Sequence, residues 1–476
     1  MPGENAAPPP PAFPPPPLPE PSSKLPGPFA VLLVLLAVSI LASVTLAVRI
    51  GDAERRAEDD RDRIIELQNQ IDRLSDRAAT PQPSGSAGPG SFGSSVIERI
   101  ARAVEQLRGL KFSRGIAPEI LTVEQLRARI EKSYEEDQSR AEVDAAGKTL
   151  TALGLLAPSA SLHAILRDVG AEQIGGYYDD EEESLVIAGS VAALTPYDRI
   201  LLAHELVHAV TDQHFGLDAL GTLQDERKDD EATAYLSLVE GDATLMMFLY
   251  REQFLTTAER SKVDEEASRL TSPKLDAAPP IVRESLLFPY ERGAQFVNAL
   301  YQRGGTAEID KAYRTPPSST EQIMHPARFF TRDDPQPVVL PDVAASLGQG
   351  WRRIDGGGIG EFDVLLIADE YLPESDAREA AAGWDGGRYE TYESSKGTLV
   401  AVSTIWDSAD EARQAAESLT DWLRPRFGGE GSGYRDGAAS GWQAPSGAAE
   451  VLRDGTRVML LVGPDRASVA AARRAF

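Results

Sequence analysis

With 476 residues the chain exceeds one average domain, and 42% hydrophobic with 26% charged residues is the composition of a folded protein. Its 74 acidic against 48 basic residues leave a net charge of −26, which disfavours nucleic acid and anionic lipid surfaces as partners. The absence of cysteine excludes disulfides, thiolate nucleophiles and Cys-held zinc, so any metal must be held by His, Asp or Glu.

Residues 1–28 are largely proline and are expected to form an extended, solvated tail. Residues 29–48, "FAVLLVLLAVSILASVTLAV", carry no charge. As a helix this stretch is about 30 Å long, the thickness of a bilayer core. It is longer than the roughly 7 to 15 apolar residues of a signal peptide and is read as a retained single-pass anchor in the cell membrane. Only Lys24 precedes it, whereas Arg49, Arg55, Arg56, Arg61 and Arg63 follow, so the positive-inside rule alone puts the bulk of the chain in the cytoplasm. The proline-rich tail and the low-complexity linker point the other way, and the folded part is expected outside the cytoplasm. Over 49–78, Ile50, Ala53, Ala57, Ile64, Leu67, Ile71 and Leu74 fall on steps of three and four, apart from a break at Asp60. That seam suggests a stalk helix or short coiled coil, and with the latter a route to a homo-oligomer. Residues 79–95, rich in Pro, Gly and Ser, read as a flexible linker.

From Val96 onward apolar residues recur at helical spacing, predicting helices around 96–110, 122–136 and 138–153. "IGGYYDDEEESLVIAG", Ile174 to Gly189, reads as a β-hairpin around an acidic turn. Thr195 as N-cap, Pro196 at the first helical position and Asp198 three residues after the cap then signal a helix start. A second strong helix is expected over about 229–254. From about 360, "FDVLLIA", "GRYETYES", "TLVAVSTIW", a long amphipathic helix, "GAAEVLRD" and "RVMLLVG" read as strand, strand, strand, helix, strand and strand, followed by a short C-terminal helix, in a separate α+β unit.

The helix begun at Thr195 contains "HELVH". His204 and His208 stand one turn apart on one face, so both imidazoles can reach one ion at about 2.0 to 2.1 Å. Glu205 does not ligate in this pattern; it serves as general base and later general acid toward a metal-activated water. Asp212 lies one turn further along that face and is the candidate to accept an imidazole N–H. His214 lies off the face and reads as structural. A third ligand is required, and the second helix offers Glu240 and Glu231. Glu240 interrupts an apolar stripe with Leu236, Ala243 and Met247, where a carboxylate must be paired or bind metal, and is favoured; Glu231 suits the helix start. Gly241 beside Glu240 is expected to let the two site helices approach closely. His325, Tyr290 and Tyr178 are the candidate donors to an oxyanion, with packing roles as the alternative.

"HELVH" followed by "EGDA" on a later helix resembles the zincin metallopeptidases of the gluzincin type. Together with "AHELVHAVTDQHF", "FPYERGAQFV", "PPSSTEQIMHPARF" and "GWDGGRYETY", it is similar to a group of bacterial membrane-anchored metallopeptidases, over about 174–406. The resemblance implies an α+β, zincin-like, mainly helical domain over 96–335, a smaller α+β domain over 336–476, and Zn2+ on His204, His208 and Glu240. It further implies an edge strand within Tyr177 to Ala188 that holds an extended peptide or protein substrate. The spacing from His208 to Glu240 is longer than in the best-known gluzincins. The competing reading is a non-catalytic metal-binding scaffold of the cell envelope.

Overall fold

Residues 92–476, apart from 138–139, 173–175, 181 and 190–193, are described by a computed structural model. The proline-rich tail, the anchor, the stalk and the linker as far as residue 91 lie outside the described residues. No helix among the described residues is long and apolar enough to cross a membrane.

The chain is a mixed α+β protein built from a helical body, a small three-stranded sheet and a seven-stranded antiparallel sheet. In the body, β1 (Glu119–Leu121) lies between α1 (Ser95–Arg108) and α2 (Arg140–Leu153), and joins β2 (Gly176–Asp179) and β3 (Ser184–Ala188) in the small sheet. Strand β3 is central, parallel to β1 and antiparallel to β2, so β2 is an edge. Helix α3 (Pro196–Phe215) starts where its residues dictate: the Thr195 side chain accepts the Asp198 N–H, and the Asp198 carboxylate accepts the Thr195 N–H. Apart from Asp198 and Arg199, its first four turns are almost entirely buried, because α1, α4 (Asp229–Phe254), the helix over Thr257–Ala267 and β2 all pack on it.

Helix α5 (Pro280–Gly304) crosses α4 where glycine meets glycine. A Cβ on Gly241 would lie 2.2 Å from the Gly293 carbonyl oxygen, and one on Gly293 would lie 2.2 Å from that of Ser237. Gly241 therefore sets the distance between α4 and α5, not between α4 and the HELVH helix as its position beside Glu240 suggested.

The large sheet has the order β4-β5-β6-β10-β9-β8-β7: β4 (Arg352–Gly358), β5 (Trp384–Ser394), β6 (Gly397–Trp406), β7 (Ser432–Asp436), β8 (Ala439–Ala444), β9 (Gly447–Asp454) and β10 (Arg457–Gly463). The segment "FDVLLIA" is not a strand but lies in α6 (Glu361–Asp369), whose start is held by the Gly360 N–H donating to the Asp363 carboxylate at 2.8 Å. A short run whose one polar residue, Asp363, is itself buried has no period that separates a buried strand from a buried helix, and here Phe362, Val364, Leu366, Ile367 and Ala368 are buried as well. Strands β4, β7 and β8 are rich in glycine and polar residues and escaped a pattern search for apolar alternation. Helix α7 (Ala409–Arg426) follows β6, and α8 (Arg466–Arg473) closes the chain.

Along β6 the side chains alternate as a pleat requires. Val400 and Val402 join the main core, while Leu399 and Ala401 join a second cluster with Val469 and Ala472 of α8. The main cluster runs without a break from Ile97 and Val210 in the helical body to Val402, Trp422 and Leu460 around the large sheet. The parts before and after residue 335 thus share one apolar interior.

Candidate metal centre

The i, i+4 spacing on α3 puts His204 and His208 on one face, and α4 brings Glu240 against them. His204 Nε2 lies 3.1 Å from His208 Nε2 and 3.2 Å from Glu240 Oε2, and His208 Nε2 lies 3.5 Å from the same oxygen. These are close to the edges of a tetrahedron, roughly 3.3 Å, around an ion bound at about 2.0 to 2.1 Å. His204, His208 and Glu240 are the one such ligand group among the described residues, and all three are buried. The donor set of two imidazoles and one carboxylate fits a divalent metal.

Electrostatics couple the charge states of the ligands. Burial raises the Glu240 carboxyl, but His208 and His204 outweigh it and bring it down to about 2. Burial lowers the His208 imidazole, but the Glu240 carboxylate outweighs it and lifts the imidazole to about 9. A proton on His208 thus balances Glu240 when no metal is bound, and a metal replaces it. The ring of Tyr290 on α5 stacks on His204 at 6.3 Å, and burial with the nearby Glu240 and Glu205 carboxylates raises its phenol well above the usual range. The Gly241–Gly293 contact makes this possible, since it lies one turn from Tyr290 and beside Glu240.

Glu205 is buried next to the ligands and outside their set. Burial pushes its carboxyl up, against the opposite pull of His204 and His208. Its Oε2 accepts the backbone N–H of Tyr178, on the edge strand β2, at 2.7 Å. Beside this group lies a cavity of about 100 Å³ lined by His204, Glu205, His208 and Glu240, by Tyr178, Asp180, Tyr235 and Tyr290, and by an apolar wall that includes Leu217, Leu236 and Val239.

Other expected positions resolve differently. Asp212 does not meet an imidazole: it accepts the Tyr178 hydroxyl at 2.8 Å and the Leu217 N–H at 3.1 Å, while His204 Nδ1 is buried with no partner among the described residues. His325 is not brought to the cavity. It sits half-exposed at the start of a short helix over Pro326–Thr331, with its Nε2 3.0 Å from Glu361. Tyr178 and Tyr290 do reach the cavity, but the Tyr178 hydroxyl is given to Asp212 and the Tyr290 ring packs on His204. His214 meets the Lys111 carbonyl at 2.8 Å. Glu231 stands at the start of α4, partly exposed, 3.7 Å from Lys228.

Asp180 and Tyr235 line the cavity, and Asp242 with Arg108 supports the centre from behind; none of them was singled out from the sequence. Asp242, two residues beyond Glu240 and so on the opposite side of α4, is buried against Arg108, whose Nε donates to it at 2.8 Å and whose Nη1 donates to Asp310 at 2.6 Å. The signal available for it was the acid of "EGDA" within an apolar stretch; its partner, 134 positions away in sequence, carried none.

A family model described as a domain of unknown function, DUF8575, matches residues 350–473. That span contains the large sheet and excludes every ligand of the metal centre. No curated protein and no solved structure matches the chain.

Proposed function

We propose that the chain is a membrane-tethered zinc metallopeptidase of the gluzincin type, hydrolysing peptide bonds of a peptide or protein substrate. The observation that carries this reading is Glu205: a buried carboxylate beside three metal ligands, outside their set, at the wall of a cavity. A structural zinc site is usually closed by four protein ligands, whereas three ligands beside an open cavity is the pattern of a catalytic one, which favours an enzyme over a metal-binding scaffold.

His204, His208 and Glu240 would hold the zinc, with the Tyr290 ring packed on His204. Bound zinc supplies Lewis-acid activation of water and of the scissile carbonyl. Glu205 takes the proton released by the attacking water and returns it to the leaving amine. Its raised proton affinity suits both halves of that transfer. Strand β2 is the edge strand beside this carboxylate, and since its Tyr178 N–H is held by Glu205, an extended substrate would add as a further strand through the remaining edge groups. Residues 29–48 form the anchor, and the folded part lies outside the cytoplasm, accessible to protease added to intact cells.

The test is hydrolysis of a peptide library by the full chain, purified without chelators. Glu205→Gln is expected to keep its zinc and lose on the order of 10² to 10⁴ in kcat. A Glu205→Gln protein with zinc and full activity would overturn the mechanism.

A further inference from the structure

Strand β2 touches α3 at two points through one residue. Tyr178 is paired with Leu185 of β3, yet its N–H turns the other way, to Glu205 Oε2 at 2.7 Å. Its hydroxyl donates to Asp212 Oδ2 at 2.8 Å. Glu205 and Asp212 are seven residues apart, two turns along one face of α3. The second oxygen of Asp212 accepts the Leu217 N–H at 3.1 Å, which ties the carboxylate to the chain just after α3. Burial and the Asp212 carboxylate both raise the Tyr178 phenol, so it stays a donor throughout the physiological range.

We propose that Tyr178 and Asp212 are positioning residues, a staple that holds the edge strand over α3 so that the Tyr178 N–H keeps the Glu205 carboxylate in one orientation beside the ligand atoms. The kinetic consequence rests on the peptidase reading; the geometric one does not. A four-residue edge strand is hydrogen-bonded along one side only, and such elements open at little cost. The hydroxyl–carboxylate bond is charge-assisted, and so is the bond from the N–H to Glu205, which makes the pair strong enough to fix the strand. The staple also assigns Asp212 a part in catalysis without contact with either histidine. It acts through the strand.

The experiment uses the full chain with Tyr178→Phe, Asp212→Asn and both together. In the zinc-loaded protein each single variant is expected to lose on the order of tenfold in kcat, with KM and zinc content little changed. The double variant is expected to lose no more than either single one, because both changes cut the same link. In the metal-free protein, hydrogen exchange at the Tyr178 amide is expected to be slow in the parent and fast in both variants. Unchanged kcat, single effects that multiply, or an amide that exchanges as slowly in the variants as in the parent would overturn the staple. A parent chain that binds zinc and hydrolyses no peptide overturns the peptidase reading instead, and amide exchange then decides the staple alone.

Discussion

Two imidazole nitrogens 3.1 Å apart, with a carboxylate oxygen within 3.5 Å of both, repel unless a proton or a cation sits among them. Glu240 is the residue on which this balance turns, because it is the one anion in the ligand set. Glu240→Gln is expected to lower zinc affinity by on the order of a hundredfold or more, since it removes a charged ligand and leaves the imidazoles without their counter-charge. Glu231→Gln is expected to leave zinc content unchanged, because that carboxylate pairs with Lys228 in partly exposed surroundings. Elemental analysis of the two purified variants checks both outcomes, and the reverse result would move the ligand role to Glu231.

Between elements, the α4–α5 crossing decides whether Tyr290 reaches His204 and the cavity. In an exposed helix, Gly→Ala stabilises by about 1 kcal/mol. At Gly241 the added methyl would lie 2.2 Å from the Gly293 carbonyl oxygen, and overpacking of that kind costs roughly 1 to 3 kcal/mol or more. The steric term outweighs the propensity gain, so Gly241→Ala is expected to lower the Tm and, by displacing Glu240 and the Tyr290 ring packed on His204, to weaken zinc binding. Thermal unfolding with and without zinc measures both. A variant as stable as the parent with unchanged zinc affinity would show that the contact is relieved elsewhere.

The whole molecule carries acids in its interior where the start of α4 meets β4 and α6. Burial raises the Asp229 carboxyl to about 8, with Asp355 adding to the rise and Arg227 and Arg388 opposing it. Burial also raises Asp230 to about 7, against hydrogen bonds from Thr320, and Asp355 to about 6. Both oxygens of Asp229 are buried, against Gly357, without a hydrogen-bond partner among the described residues. Each group is protonated in the folded chain at a pH where the unfolded chain has already lost the proton. As far as these groups are concerned, stability is therefore greatest below about pH 4, where both states keep the protons, and falls as pH rises from there through about 6 to 8. The metal-free protein is expected to melt at a lower temperature at pH 8 than at pH 5.5, with the difference reduced in Asp229→Asn. A Tm that rises over this interval in the parent, or an unchanged slope in the variant, would contradict the assignment.

By itself the sequence determined what local chemistry determines. Thr195, Pro196 and Asp198 carry the start of α3 in their own hydrogen bonds, and the four-residue step from His204 to His208 forces two imidazoles onto one face whatever surrounds them. The hairpin of β2 and β3 and the long helix bearing Glu240 were legible for the same reason, since their patterns repeat over distances shorter than the elements. Tertiary structure decided the rest. The partner of Asp212 is a tyrosine on a strand 34 positions earlier, the companion of Gly241 is a glycine on another helix, and His325 lies at Glu361 and not at the metal. No local spacing records such meetings, because they depend on how separate elements pack. The reading of "FDVLLIA" failed on similar grounds: burial on every side erases the period that tells helix from strand, and only the neighbours of α6 settle its form.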